Sequence, residues 1–120
     1  MSATTGSEDL PVFVAWVEFL KWLLPTTEKF PKRVRFTFAD RINNMALDIV
    51  EDLVEARYSR EKQHLLRRVN LRLEKLRILL RLCHRMQYLS HQSYEHAMRE
   101  INDVGRMLGG WTKQQEGQAG

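Results

Sequence analysis

The sequence contains few of the residues that interrupt helices or cross-link small domains. Its 120 residues include one cysteine, three prolines and six glycines. The single cysteine, Cys83, excludes an intrachain disulfide and a zinc site built on cysteines, and it is typical of a reducing compartment. The scarcity of proline and glycine argues against an all-β fold, which needs many turns. The length predicts one domain.

A long hydrophobic run is also missing. The most apolar stretch, residues 12–24, is interrupted by Glu18 and Lys21. It is shorter than the roughly 18 apolar residues that a membrane-spanning helix needs. The residues before it include Glu8 and Asp9, whereas a signal peptide begins with basic residues. We therefore predict a cytoplasmic protein without membrane contact, in which residues 12–24 belong to a core helix.

Apolar residues recur at helical spacing in four segments, which short polar stretches separate. The third segment has the most regular spacing, with steps of three and four residues along one seam. The seam residues are Leu66, Val69, Leu73, Leu76, Leu80 and Cys83. Four amphipathic helices with short connections predict an all-α protein, an antiparallel up-down four-helix bundle. We assign residues 10–113 to the bundle, 1–9 to a flexible N-terminal tail and 114–120 to a disordered C-terminal tail.

The limits of the helices follow from capping residues and breakers. The first helix is predicted over about residues 10–29, and Pro25 should kink it or end it early. Its buried face is predicted to comprise Phe13, Val17, Leu20 and Leu24. The second helix is predicted over about residues 38–58, and the third and longest helix is predicted to begin at Ser59.

A second apolar stripe runs along the third helix. At 100° per residue it lies opposite the seam, so a single bundle core can cover only one of the two. The stripe comprises Leu71, Ile78, Leu82 and Leu89. Although single exposed leucines are common, four on one line predict a contact between copies of the chain or with another protein helix. We take these four residues as the predicted oligomer interface.

The charges are segregated between helices. The whole chain carries a net charge of +4. Residues 60–85 hold nine basic and two acidic residues, a local charge of +7, whereas residues 40–57 have a local charge of −3. A clustered basic stripe rich in arginine favours nucleic-acid binding. The candidate contact residues are Arg67, Arg68, Arg72, Lys75, Arg77, Arg81 and Arg85. The alternative is that these side chains only pair with the acidic second helix.

No pattern in the sequence is typical of an enzyme. Glu61 and His64 form one Glu-x-x-His motif, but a di-iron bundle needs two such motifs and two further glutamates. Gly105 and Gly110 lack the lysine and the preceding strand of a phosphate-binding loop. Cys83 lies on the apolar seam, where a buried thiol is expected. We predict no catalytic residues, no metal site and no cofactor.

Three segments together resemble one protein family. They are residues 30–42 (FPKRVRFTFADRI), 76–82 (LRILLRL) and 104–111 (VGRMLGGW). In order and spacing they are similar to the Avd family, the accessory variability determinant proteins of diversity-generating retroelements. This family is part of a wider group of bacterial four-helix-bundle proteins that includes the ribosomal-RNA intervening-sequence proteins.

The resemblance implies a homopentameric, barrel-like assembly with a basic surface. It also implies a non-enzymatic protein that binds the element's reverse transcriptase and template RNA or other nucleic acid, and so supports mutagenic reverse transcription. Arg77 and Arg81 match the two arginines of the family's Leu-Arg-x-x-Leu-Arg segment, which makes them the first candidates for contact with nucleic acid or polymerase. The alternative is a structural or protein-interaction module of the intervening-sequence type.

Overall fold

The computed structural model describes residues 10–119, which form four α-helices and no strand. The helices are α1 (Pro11–Thr27), α2 (Asp40–Tyr58), α3 (Gln63–Arg85) and α4 (His91–Ala119). The all-α prediction is therefore confirmed. The predicted N-terminal tail, residues 1–9, and Gly120 lie outside the described residues.

All four helices contribute to one core. The helices α1 and α3 each pack against both α2 and α4. All six predicted seam residues of α3 are buried, from Leu66 to Cys83. They pack with Ile42, Ile49 and Leu53 of α2 and with apolar residues of α1 and α4 in one continuous cluster. The 3-4 spacing thus identified the inward face of α3 correctly.

The buried face of α1 differs from the predicted one. Leu20 is buried as expected, but the other large buried side chains are Trp16, Phe19 and Leu23. The remaining predicted residues, Phe13, Val17 and Leu24, are only partly buried. Because apolar residues occur on most sides of α1, their spacing alone does not show which face is buried. The Trp16 face points into the bundle, where the indole Nε1–H donates a hydrogen bond to the carbonyl oxygen of Ala46 in α2 at 2.9 Å.

The connection between α1 and α2 consists of two short helical turns. A 3₁₀ turn (Lys32–Val34) leads directly into a π turn (Arg35–Ala39), and α2 follows without a break. Arg35 fixes this connection to the end of α1. Its Nε donates to the carbonyl oxygen of Phe30 at 3.2 Å, and its Nη2 donates to that of Glu28 at 2.9 Å. Two carbonyl groups near the end of α1 thereby gain a charged donor.

The end of α3 corrects one predicted site residue. Gln87 has a φ of 66°, and the N–H of Tyr88 donates to the carbonyl oxygen of Cys83 at 2.9 Å. This geometry is a Schellman-type stop, in which a left-handed residue turns the chain out of the helix. Leu89 therefore lies beyond α3, and it is 4% exposed within the core. The prediction that Leu89 belongs to an outward stripe of α3 was wrong, because the helix ends before this residue.

The remaining helix limits also differ from the expectation. The helix α3 begins at Gln63 rather than Ser59, and α4, with 29 residues, is longer than α3 with 23. Residues 114–119, predicted as a disordered tail, continue α4 in the structure. Glutamine, glutamate and alanine in this stretch are good helix formers, and no proline ends the helix there. Among the described residues, no helix is long and apolar enough to cross a membrane.

Candidate functional site

The outward face of α3 carries the predicted apolar stripe in shortened form. Leu71, Ile78 and Leu82 are 55%, 52% and 42% exposed. Each follows the one before by seven or four residues, so the three side chains share one side of the helix. We call these three residues the outer stripe. Together they form an apolar line on a surface that is otherwise strongly charged.

Two of the seven candidate cations are bound to α2. Arg68 Nη2 lies 3.1 Å from Asp52 Oδ1, and Arg72 Nη1 forms an ion pair with Asp52 Oδ2. Arg68 also lies 3.8 Å from Glu55 Oε1. Asp52 is only 6% exposed, so its carboxylate depends on these partners for compensation of its charge. For Arg68 and Arg72, the pairing with the acidic second helix is therefore what the structure shows.

Arg77 is held between α3 and α4. Its Nη1 lies 3.0 Å from Glu74 Oε1, and its Nε donates to Asn102 Oδ1 at 3.0 Å. A Cβ atom on Gly105 would come within 3.1 Å of Arg77 Nη2, so the missing side chain at Gly105 makes room for the guanidinium group. The Arg77 side chain is 24% exposed. It is thus largely engaged by its own bundle.

The other four candidates form a group that we call the outer cations: Arg67, Lys75, Arg81 and Arg85. All four are exposed, and within residues 10–119 none of them forms an ion pair. On the helical projection the three arginines lie along one side of the outer stripe and Lys75 lies along the other. The arrangement is an apolar line with cations on both sides.

A second basic surface lies at the start of α2, a segment in which the sequence predicted no site residue. Phe36 is 88% exposed, and it lies between two open grooves. The first groove, of about 730 Å³, is lined by Lys32, Arg33, Arg35, Phe36 and Asp40. The second, of about 460 Å³, is lined by Phe36, Asp40, Arg41, Asn44, Met45, Asp48, Arg72 and Lys75. The signal that could have identified this surface is an aromatic residue among three basic ones.

Groups that could carry chemistry are sparse in the described part of the chain. Burial raises the pKa of the Cys83 thiol from 9.0 to about 11, so the thiol is protonated at neutral pH and is a poor nucleophile. His84 Nε2 and His91 Nδ1 lie 3.3 Å apart. Residues 10–119 contain no group of three or more histidine, cysteine, aspartate or glutamate side chains placed to hold a metal ion.

Comparison with known proteins identifies the family. A search of curated proteins finds no match to the chain. A family model described as bAvd-like, however, matches residues 15–115. This span covers most of the chain and includes all three segments on which the resemblance to the Avd proteins rests. The recognition made from those segments is confirmed, and the chain belongs to the bAvd-like family of accessory proteins.

Proposed function

We propose that this protein is a non-enzymatic accessory protein of a diversity-generating retroelement. It binds the reverse transcriptase and the template RNA, or another nucleic acid, and supports mutagenic reverse transcription. Membership of the bAvd-like family supports the accessory role. The observation that carries the nucleic-acid contact is the row of outer cations, which have no acidic partners within residues 10–119.

The contrast among the seven candidate cations supports this placement. A guanidinium group that already neutralises a carboxylate gains little from a phosphate, because the existing ion pair has to be broken first. This applies to Arg68 and Arg72, which bind the buried Asp52. Arg77 is held instead by Asn102 of α4 and by Glu74, with 24% of its side chain exposed. Arg81 therefore replaces the pair of Arg77 and Arg81 as our first choice for contact with nucleic acid. Arg77 has a positioning role between α3 and α4.

The proposal includes an assembly. The helices alternate in direction as an up-down bundle, and bundles associate through the outer stripe into a homopentameric barrel. A ring of this kind needs a contact between two different surfaces of neighbouring copies, since a self-complementary contact closes at a dimer. The exposed apolar area of Leu71, Ile78 and Leu82 supports such a contact.

A salt-dependent binding titration tests the nucleic-acid contact. The test variant combines Arg67→Glu, Arg81→Glu and Arg85→Glu. The control combines Lys29→Glu, Arg99→Glu and Lys113→Glu, which change the net charge equally at exposed sites on α4 and between α1 and α2. Each lost contact with a single-stranded phosphate should lower the slope of log K against log salt by about 0.7. We expect the test variant to lose a slope of about 2 and the control to lose much less.

Two results would contradict the proposal. Equal losses in both variants would mean that only net charge matters, and an absence of RNA binding in the unaltered protein would remove the function itself. In the latter case the remaining candidate is a structural or protein-interaction module of the intervening-sequence type. In such a module Arg68 and Arg72 would serve only to pair with Asp52. Co-purification with the reverse transcriptase, compared between the same variants, tests the polymerase contact.

A further inference from the structure

Phe36 is the most exposed of the large apolar side chains in the described part of the chain, at 88%. An exposed apolar residue is not unusual by itself. What distinguishes Phe36 is that its position is fixed. Val34, which ends the 3₁₀ turn before Phe36, and Ala39, which ends the π turn after it, are both buried. Arg35 is hydrogen bonded to two carbonyl groups near the end of α1.

The backbone around Phe36 therefore has little freedom to fold the ring inward. Val34 and Ala39 fix the ends of the turn in the core, and Phe38 packs against the ring of Tyr88 at a centroid distance of 5.8 Å. The ring of Phe36 stays in solvent between the two grooves that it lines. A rigid aromatic ring loses little conformational entropy when a flat ligand stacks on it.

The surroundings of the ring are cationic. Six basic side chains line the two grooves: Lys32, Arg33, Arg35, Arg41, Arg72 and Lys75. Two acidic side chains, Asp40 and Asp48, line them as well. Met45 is the one other apolar residue in either lining. The excess of positive charge favours a polyanion with flat, stackable groups.

We propose that Phe36 is a stacking platform for an unpaired base of a single-stranded nucleic acid. The backbone of the strand follows the two grooves from Lys32 and Arg33 past the ring to Lys75. This inference rests on the proposed function, because it specifies which form of nucleic acid the protein binds. Lys75 is also one of the outer cations, so the strand passes from the start of α2 to α3, on the side of the outer stripe opposite to the three outer arginines.

A single strand fits this surface better than a duplex. In a duplex each base is already stacked between its neighbours, whereas an unpaired base can be turned out onto an aromatic side chain. Stacking of this kind is tolerant of sequence, because every base has a π face. The groove cations other than Arg35 and Arg72, whose guanidinium groups are already engaged, then bind phosphates on either side of the stacked base, as in other single-strand grooves.

The test compares two substitutions at Phe36 on two RNAs of equal length, one unstructured and one forming a duplex. We expect F36L to weaken binding of the unstructured RNA by about 5- to 150-fold, the value of one stacked base, and F36W to preserve it. Neither variant should change duplex binding. Y58L is the matched control, because Tyr58 is an exposed aromatic residue at the opposite end of α2, about 27 Å along the helix from Asp40.

Three results would overturn the stacking platform. The first is unchanged binding of the unstructured RNA by F36L, the second is an equal loss on both RNAs, and the third is an equal loss in Y58L. If F36W and F36L both lose binding of the polymerase, or both lose self-association, the partner that contacts this ring is instead a protein. If the unaltered protein binds neither RNA, both the proposed function and this inference fail. If it binds both and F36L has no effect, only the platform fails.

Discussion

The inward and outward faces of α3 are built from the same kinds of residue, leucine and arginine, with different results. Inward, Leu73 and Leu76 are buried in the core, and Arg72 binds the buried Asp52 of α2. Outward, Leu82 is exposed, and Arg81 has no acidic partner in the described residues. The residue types alone do not separate the structural side of α3 from the side available to partners. What separates them is where the neighbouring helices lie and whether one of them presents a carboxylate to the arginine.

The local charge of α3 is a poor measure of its free basic surface. The net charge of +7 over residues 60–85 suggests at least seven cations that could bind a polyanion, yet three of the seven candidates are engaged within the bundle. Of these seven candidates, only the outer cations remain without ion pairs in the part of the chain that the structure describes. A count of basic residues therefore overstates the binding surface by nearly a factor of two.

The largest expected effect comes from removing both arginines that bind Asp52. The variant with Arg68→Ala and Arg72→Ala leaves a carboxylate that is 6% exposed without a counter-charge. We expect a loss of about 3 to 5 kcal/mol in the free energy of unfolding, measured by urea denaturation. Adding Asp52→Asn should recover part of the loss, because it removes the unpaired charge.

The control for this variant lies on the other side of the same helix. Arg81→Ala with Arg85→Ala removes the same number of guanidinium groups from sites without ion pairs. These two changes should alter the free energy of unfolding by less than about 0.5 kcal/mol each. Equal destabilisation by the two double variants would contradict the division of α3 into two faces.

An intermediate effect is expected from Cys83, on the inward face. Burial raises its pKa from 9.0 to about 11, so the folded protein holds the thiol proton more tightly than the unfolded chain does. Below pH 9 both states are protonated and this group adds no pH dependence. Between pH 9 and 11 the unfolded chain loses the proton first, and the free energy of unfolding should fall by about 2 to 3 kcal/mol.

The measurement is the difference in unfolding free energy between the unaltered protein and Cys83→Ala across this pH range. The subtraction removes the titration of lysine and tyrosine, which both proteins share. The thiol should also react slowly with an alkylating reagent at pH 8 and rapidly after unfolding in guanidinium chloride. A flat difference curve together with fast reaction of the folded protein would place Cys83 outside the inward face.

The smallest effect on stability is expected from the outer stripe. Replacing Leu71, Ile78 and Leu82 by glutamine should change the unfolding free energy of the single bundle by no more than about 0.5 kcal/mol per site, since these side chains are half exposed. The same variant should lose self-association in sedimentation velocity. An unaltered protein that is monomeric at micromolar concentration, or a variant that associates normally, would contradict the proposed interface.

Every residue that the sequence placed on the inward face of α3 is buried, and only Leu65 was missed there, whereas the buried face of α1 was predicted only in part. In α3, polar residues separate the two apolar lines, so the spacing selects the face. In α1, apolar residues occur on most sides, and the choice depends on the hydrogen bond from Trp16 to Ala46, which joins two helices. A contact between helices depends on their relative rotation, which the spacing within one helix does not contain.

The candidate site shows the same division. The outer cations and the outer stripe could be placed on α3 from spacing alone. The ion pairs of Asp52 could not, because they require α2 to present that residue to α3. Leu89 was misplaced because a helical projection continues past the left-handed Gln87, where the real helix stops. Phe36 was missed because its exposure depends on two buried neighbours.

The connection between α1 and α2 has a consequence for tolerance of insertions. Residues 32–39 are all part of helical turns that run directly into α2. One residue more or fewer would rotate α2 by about 100° relative to α1. That rotation would carry Ile49 out of the core and Asp52 away from α3. We therefore expect relatives to keep the length of this segment and to accept insertions between α2 and α3 instead.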